Sequence, residues 1–332
     1  MITDNDLDFH TPGNVDFQWA ETYWFGLYVP QANLYGWVYM VFRAGSGAML
    51  CDIEFIDKKS RNMFDARYVD IQNHLSIPVS LRSFRLQNGL QFKAVDRLKY
   101  RIDYVGVHDT EIHLDFDGIH EPYDINDPAI DPMARRSTSD AIAHSGFGSA
   151  YASHFDLTMR ATGQIKVRGE TYSVDCLATN DHSWGPRPER GMRMMAYMNA
   201  HFAADYVVQT IWEFDAARPD GKQHVFKHGY VLVDGKLHGA VAGELKVKHT
   251  GMFPTTVDLT LTDLRGVVHT LSGAPTAFNH WVPYGCCPTA HSMLSWRTVE
   301  RTDGVGTLME TYPLDTVTGG YIHADIRESF GT

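Results

Sequence analysis

The segment DHSWGPR, residues 181–187, places several reactive side chains close together in the chain. Asp181 and His182 could transfer protons, and Trp184 offers an aromatic face beside them. A carboxyl group buried among aromatic side chains has a raised pKa and can hold a proton at neutral pH. Such an acid could protonate an alkene or help an alcohol to lose water. An aromatic face could stabilise the resulting cation by about 2 kcal/mol or more.

The same segment also fits a structural role. Asp181 could accept backbone hydrogen bonds or pair with Arg187, and Trp184 could fill a hydrophobic core. For His182 a functional role is favoured, because an imidazole at the junction of two domains has no evident packing purpose and can activate water. Ser183 inclines towards structure, because no G-x-S-x-G elbow surrounds it. Both interpretations therefore stand for each residue.

Composition narrows the class of protein. The chain has 332 residues, is 44% hydrophobic and 21% charged, and therefore resembles a globular protein. A formal net charge of -11 argues against a nucleic-acid partner. The longest apolar runs are far shorter than the ~20 residues of a membrane-spanning helix. An acidic N-terminus without a signal-peptide pattern, and only 4 cysteines, favour a cytoplasmic protein with reduced thiols.

Hydrophobic residues recur with a period of two rather than 3.6. The segments EIHLDFDG (111–118) and VDLTLTDL (257–264) alternate apolar and polar residues, which is typical of strands with one buried face. Turn sequences such as QNGL (87–90) separate these strands. The best helical segment, 129–144, contains Pro132 and a Ser/Thr cluster that limit it to a turn or two. The pattern predicts an all-β protein of the barrel or sandwich class.

A weak internal similarity suggests two related halves. The segment from Glu21 to Phe42 has a counterpart in the segment from Arg193 to Phe214, and each continues through a turn into a further strand. We therefore expect an N-terminal domain over residues 1–185 and a C-terminal domain over residues 186–332.

Three segments resemble a known superfamily: WAETYWF (19–25), the strand pair that begins HFDLTMRATG (154–163), and YSVDCLATNDHSWGPR (172–187). Together they are similar to the lipocalin-like superfamily of carotenoid 1,2-hydratases and AttH-like proteins, with kievitone hydratase, tocopherol cyclases and fungal Diels–Alderases as relatives. The resemblance implies two consecutive lipocalin-like antiparallel β-barrels with a shared or adjacent apolar cavity. The chain departs from the signature at Asn180, where the family often has arginine.

The resemblance also implies roles for particular residues. His182 and Trp184 match an H-x-W pair of the carotenoid hydratases, and Tyr197 with Asn199 is the nearest match to their Y-x-D pair. An amide replaces the acid there, unless Asp205 takes its place. The expected catalytic residues are Asp181, His182, Trp184 and Tyr197. The expected substrate-binding residues are Glu21, Tyr23, Trp24, His154, Arg187 and Asn199.

Strand alternation limits which of these residues can act together. Trp24 faces away from Glu21 and Tyr23, so only some of them can point at a cavity. His154 and Asp156 share one face and could extend a polar network towards Asp181, although an exposed pair is the default.

We expect no cofactor and no metal. His280, Cys286, Cys287 and His291 lack the spacing of a zinc site, because adjacent cysteines on an extended chain face opposite ways. The glycine-containing segments 44–49 and 144–150 do not follow the pattern of a phosphate-binding loop.

The resulting hypothesis is a cofactor-independent hydratase, dehydratase or isomerase, of the hydro-lyase or isomerase type. It would act on a hydrophobic terpenoid or polycyclic small molecule by acid–base chemistry in an aromatic cavity. The alternatives are a non-catalytic binder of a hydrophobic molecule and a catalyst of pericyclic or cyclisation reactions. The expected partner is that small molecule, with no nucleic acid and no integral membrane segment, and a homodimer remains open.

Overall fold

The computed structural model describes residues 1–13, 16–188, 193–219, 221–312, 314 and 317. The chain forms two compact units. The first consists of Met1–Ser60, Phe64–Asp127 and Ala150–Arg187. The second consists of Arg61–Met63, Pro128–Ser149 and the described part of Pro188–Thr332.

The first unit is one antiparallel sheet. Its described strands are β1 (Trp19–Val29), β2 (Leu34–Arg43), β3 (Ala48–Asp57), β4 (Tyr68–Ser76), β5 (Ser83–Arg85), β6 (Leu90–Asp96), β7 (Lys99–Val105), β8 (Glu111–Gly118), β9 (Tyr123–Asp124), β10 (Ser153–Val167) and β11 (Glu170–Pro186). The strand order is β4-β3-β2-β1-β11-β10-β8-β7-β6-β5, and β9 pairs with β10. The long hairpin of β10 and β11 therefore lies in the middle of the sheet.

The alternation predicted from the sequence is present in β8. Ile112, Leu114 and Phe116 are buried in the hydrophobic core of this unit, whereas Asp115 and Asp117 are exposed. One face of the sheet thus forms the core, as expected for a strand with period-two hydrophobicity.

The second unit is a closed antiparallel barrel. Its described strands are β12 (Met195–Ala203), β13 (Tyr206–Phe214), β14 (His224–Val233), β15 (Lys236–Thr250), β16 (Phe253–Asp263), β17 (Val268–Tyr284), β18 (Cys287–Arg297) and β19 (Gly304–Thr311). Each strand pairs with the next, and β19 pairs with β12 to complete the barrel.

Helical structure is sparse. The segment 129–144, predicted as the best helical candidate, contains one short helix, α1 (Thr138–His144), which the Ser137 side chain caps by accepting a hydrogen bond from the Asp140 amide. Short 3-10 turns lie at Asp4–Leu7, Pro30–Ala32, Met63–Asp65 and Gly148–Tyr151. Within the described residues, no helix has the length and apolar character needed to span a membrane.

The predicted all-β architecture with two barrel-like domains is confirmed, with one difference. Among the described residues no strand pairing joins β4 to β5, so the first sheet is a curled half-barrel. β5 has only three residues, and its side chains are mostly exposed. A short polar edge strand of this kind is a common way to end a sheet.

The interior of the second unit contains a buried carboxylate. Glu310 is completely buried, and its Oε1 lies 2.8 Å from His224 Nε2, while its Oε2 lies 2.8 Å from His249 Nε2. Burial alone would raise the pKa of Glu310, but the two histidines outweigh it and lower the pKa to about 2. The charged form of Glu310 therefore stabilises the folded barrel.

We predict that Glu310→Gln lowers the free energy of unfolding by about 3 kcal/mol at neutral pH. A depressed folded-state pKa contributes stability above the unfolded pKa of about 4.3 and loses it as the pH falls towards the folded value. The difference between wild type and variant should therefore shrink between about pH 4.5 and about pH 2, as measured by urea unfolding at several pH values. Glu244→Gln is the control, because Glu244 is an exposed residue of β15. A difference between wild type and Glu310→Gln that does not change with pH would contradict the prediction.

Candidate functional site

The register of three strands distributes the predicted site residues. In the pairing of β11 with its neighbours, Asp181 lies opposite Trp24 of β1 and Asp156 of β10. His182 lies opposite Tyr23 of β1. Since side chains alternate along a strand, Asp181 and His182 project from opposite faces of the sheet. We call the face with Trp24, Asp156 and Asp181 the acid face, and the face with Tyr23 and His182 the core face.

Asp181 is the central carboxyl group of the acid face. Asp181 is 8% exposed. No described residue donates a hydrogen bond to its carboxyl group. Burial raises the pKa of Asp181 to about 7, an effect that His154 and Arg187 oppose and that Asp156 reinforces. The group can therefore be present as the neutral acid near neutral pH.

His154 and Asp156 form a buried pair beside it. The two residues are 0% and 1% exposed, so the default of an exposed pair is wrong. His154 Nε2 lies 3.1 Å from Asp156 Oδ1, and the imidazole stacks on the Tyr151 ring at 4.1 Å. Burial alone would lower the pKa of His154, but the Asp156 and Asp181 carboxyl groups outweigh it and raise the pKa. The pair can therefore accept or hold a proton next to Asp181.

Arg187 is held by hydroxyl and carbonyl oxygens. Its Nη2 donates to Ser183 Oγ at 2.5 Å, to Thr22 Oγ1 at 3.2 Å and to the Ala150 carbonyl at 3.3 Å. The Ser183 and Thr22 hydroxyl groups are themselves 2.8 Å apart. The charge of Arg187 acts on Asp181 and opposes the rise in the pKa of that carboxyl group, so the alternative in which the two residues pair stays a prediction. Arg187 contributes positive charge to the acid face from a fixed position.

Aromatic side chains continue the acid face across β1 and β2. Trp24 is 1% exposed and lies opposite Tyr39 in the register. The Trp24 ring is 5.9 Å from the rings of both Trp37 and Tyr39, and Tyr35 is 5.8 Å from Trp37. The result is a row of packed rings next to a buried acid, an arrangement suited to an apolar ligand that acquires positive charge.

The core face carries a second group of predicted residues. His182 stacks on Tyr23 with ring centroids 4.0 Å apart, and its Nδ1 donates to the Thr22 carbonyl at 2.7 Å. Burial lowers the pKa of His182 to about 4, although the Glu21 carboxylate opposes this effect. The ring is therefore neutral near pH 7.

Glu21 on this face is completely buried and accepts hydrogen bonds from the His10 amide, Thr11 and Trp19. Burial alone would raise the pKa of Glu21, but the hydrogen bonds from His10 and the nearby imidazoles of His10 and His182 outweigh it and lower the pKa. Trp184 stacks on the His10 ring at 3.6 Å.

Tyr197 and Asn199 belong to β12 of the second unit. Asn199 Nδ2 donates to Thr307 Oγ1 at 2.9 Å, and the Thr307 amide donates to Asn199 Oδ1 at 3.1 Å, so this side chain links β12 to β19. Tyr197 is 1% exposed. Asp205, the alternative acid, lies in the hairpin turn after β12 and pairs with Arg301 at 2.9 Å in a largely exposed position. Neither Asn199 nor Asp205 has the surroundings of a buried acid.

Sequence reasoning missed several neighbours of the site. The ring row of Tyr35, Trp37 and Tyr39 was visible as a period-two aromatic pattern in YGWVYMVF. His10 had no such signal, because it lies in a polar N-terminal segment with no periodicity. Its place beside Glu21 depends on how that segment packs against β1.

A family model described as "Domain of unknown function (DUF7064)" matches residues 3–311. No curated protein matches the sequence.

Solved structures share the fold over most of their length. CghA has a TM-score of 0.57 at 10% identity, and the match covers 89% of this chain and 88% of that chain. A second crystal structure of CghA, determined with Sch210972, also matches. Kievitone hydratase from Nectria haematococca has a TM-score of 0.55 at 10% identity and 88% coverage of both chains. A protein described as a putative AttH from Nitrosomonas europaea has a TM-score of 0.54 at 12% identity, with 91% and 94% coverage. The predicted resemblance is thus confirmed at the level of the fold.

We predict that Ser183→Ala lowers the free energy of unfolding by about 1–3 kcal/mol. The change leaves the buried Arg187 and Thr22 groups short of a hydrogen-bond partner. Urea unfolding measures the effect. Ser173→Ala, at an exposed position of the same strand, is the control and should change stability by less than about 0.5 kcal/mol. Equal effects of the two substitutions would contradict the proposed structural role of Ser183.

Proposed function

The chain belongs to the family described as a domain of unknown function, DUF7064, and we propose that it is an enzyme that hydrates, dehydrates or isomerises a hydrophobic small molecule. Asp181 is the acid in this proposal. The substrate is a terpenoid or polycyclic molecule with an alkene or an allylic or tertiary alcohol.

The observation that carries the proposal is the environment of the Asp181 carboxyl group. It is almost completely buried and receives no hydrogen bond from a described residue, and Asp181 lies opposite Trp24 in the strand register. A carboxylate in such surroundings is poorly solvated, so the neutral acid is favoured. Glu21, a few residues away in the neighbouring strand, is equally buried but accepts several hydrogen bonds. The contrast supports Asp181, rather than Glu21, as the proton donor.

The proposed hydration proceeds in two steps. The Asp181 carboxyl group donates its proton to one alkene carbon, and the other carbon becomes a cation facing the Trp24 ring. A water oxygen then bonds to this carbon and loses a proton. The His154–Asp156 pair accepts that proton and returns it to Asp181 through solvent, so the net reaction adds one water molecule. Dehydration follows the same steps in reverse, and isomerisation loses a proton from a neighbouring carbon instead.

Residues of the core face have a positioning role, not a catalytic one, in this proposal. His182 and Trp184 do not share a face with Asp181, so they position the strand and its neighbours rather than exchange protons with the reacting carbon. Arg187 and Trp24 remain substrate-binding candidates of the acid face. Tyr197 and Asn199 remain candidates of the second unit.

A second candidate function is catalysis of a cyclisation. The row of packed rings around Trp37 supports it, because rigid aromatic surfaces can hold a flexible substrate in a reactive shape. The fold shared with CghA and with kievitone hydratase is compatible with both functions.

We predict that Asp181→Asn lowers kcat by at least about 100-fold, because the amide cannot donate an acidic proton. Terpenoid and polycyclic alkenes and allylic alcohols are incubated with the protein in D2O containing 18O-labelled water. Mass spectrometry then measures deuterium on carbon and 18O in the product. Thermal unfolding confirms that the variant folds.

Asp175→Asn is the matched control, because Asp175 lies on the same strand and is exposed beside Arg160. It should leave kcat unchanged. Full activity of Asp181→Asn would exclude Asp181 as the acid. Product formation without deuterium on carbon, with only a modest rate loss in Asp181→Asn, would favour cyclisation. Ligand binding that is insensitive to His182→Ala, with no chemical change, would favour a binding protein.

A further inference from the structure

Three residues on the core face of the first unit offer metal-ligand atoms at short range. His10, Glu21 and His182 each place one nitrogen or oxygen atom so that all three atoms lie within 4.8 Å of one another. Glu21 and His182 are completely buried, and the His10 side chain is 19% exposed. The residues come from the N-terminal segment, β1 and β11, which meet only in the folded sheet.

His182 has an unsatisfied nitrogen in this cluster. A carbonyl oxygen only accepts hydrogen bonds, so the contact with the Thr22 carbonyl places the ring proton on Nδ1. Nε2 of the neutral ring is then an acceptor, and it is buried without a hydrogen-bond partner among the described residues. A buried polar atom without a partner is costly. The same cluster contains the Glu21 carboxylate, so a cation between them would give His182 Nε2 a partner and bind the carboxylate as well.

Both oxygens of Glu21 have partners, but only Oε2 contacts another member of the cluster through a side chain. Oε1 accepts from the His10 amide at 2.7 Å, from Thr11 Oγ1 at 3.0 Å and from Trp19 Nε1 at 3.3 Å. Oε2 lies 3.0 Å from His10 Nδ1. The carboxylate is therefore fixed by neutral donors while Oε2 faces the cluster.

His10 is oriented in the manner of a metal ligand. Its ring stacks on Trp184 with an interplanar angle of 1°, and its Nε2 lies 3.4 Å from Asp6 Oδ1. Histidines that bind metals commonly donate the second ring nitrogen to a carboxylate or a backbone carbonyl. Asp6 supplies this partner for His10, and the Thr22 carbonyl supplies it for His182.

We propose that His10 Nδ1, Glu21 Oε2 and His182 Nε2 bind one divalent transition-metal ion of the Zn2+ or Fe2+ type. Two imidazoles and one carboxylate are a ligand set that such ions prefer, whereas Mg2+ and Ca2+ prefer oxygen ligands. Bonds of about 2.0–2.2 Å place two ligand atoms at most about 4.4 Å apart, so small side-chain shifts close the site. Binding displaces the proton on His10 Nδ1 and leaves a coordination position open for an oxygen ligand.

This inference revises the sequence-based expectation of a chain without a metal. That expectation considered His280, Cys286, Cys287 and His291, whose spacing was visible in the sequence. The proposed ligands have no common spacing, because residues 10 and 182 become neighbours only through the packing against β1. The inference does not depend on the proposed function, since Asp181 lies on the acid face.

The test is metal binding to untagged protein that a chelator has stripped. Isothermal titration with Zn2+, together with elemental mass spectrometry, should give one ion per chain, and excess Mg2+ should not displace it. Glu21→Gln and His182→Asn should each weaken Zn2+ binding by more than about 100-fold. Asp6→Asn, which removes only the partner of His10, should weaken it by about 10–100-fold.

His113→Asn is the matched control. His113 also lies between two carboxylates, Asp103 and Glu111, but at the surface and with both ring nitrogens paired. Its substitution should leave Zn2+ affinity unchanged.

Circular dichroism checks that each variant folds. If Glu21→Gln or His182→Asn does not fold, the partly exposed His10→Gln replaces it with the same expected loss. Wild type that binds no Zn2+, or His10→Gln and Asp6→Asn with wild-type affinity, would overturn the proposal. Asp181→Asn should retain Zn2+ affinity whatever its activity, so the two proposals can fail separately.

Discussion

The antiparallel pairing of β11 with β1 and β10 controls the chemistry of the first unit. Because side chains alternate along a strand, adjacent members of the DHSW segment leave the sheet on opposite sides. Asp181 therefore shares a face with Trp24 and Asp156, while His182 shares a face with Tyr23. A register shift of one residue would exchange these neighbourhoods. The burial of both faces makes such a shift costly and so protects the arrangement.

The two faces of the sheet shift the pKa of a buried carboxyl group in opposite directions. Glu21 has several hydrogen-bond donors, and its pKa is lowered, whereas Asp181 has none among the described residues, and its pKa is raised. Burial alone would raise both values, so the donors decide the difference. The proposed proton donor and the proposed cation ligand thus lie on neighbouring strands in different environments.

The second unit also contains a buried carboxylate between two imidazoles. Glu310 lies inside its own barrel between His224 and His249, and both imidazoles contact the carboxylate directly. The carboxylate therefore has direct partners on both sides, and we expect this arrangement to stabilise the fold. Both groups contain a buried ring nitrogen without a hydrogen-bond partner among the described residues, His224 Nδ1 in the second unit and His182 Nε2 in the first. In the Glu310 group both imidazoles face the carboxylate through Nε2, whereas His182 uses Nδ1 for the Thr22 carbonyl and leaves Nε2 for the proposed metal ion.

The sequence by itself determined the period-two strands and the all-β class, because alternation and turn residues are local properties of the chain. It also showed that His154 and Asp156 share a face. Only the tertiary structure decided that the first sheet stays open, because closure depends on whether distant edge strands pair. It also decided which carboxyl groups receive donors and that His10 meets His182. Those properties depend on contacts between residues far apart in the chain, which hydrophobic periodicity does not encode.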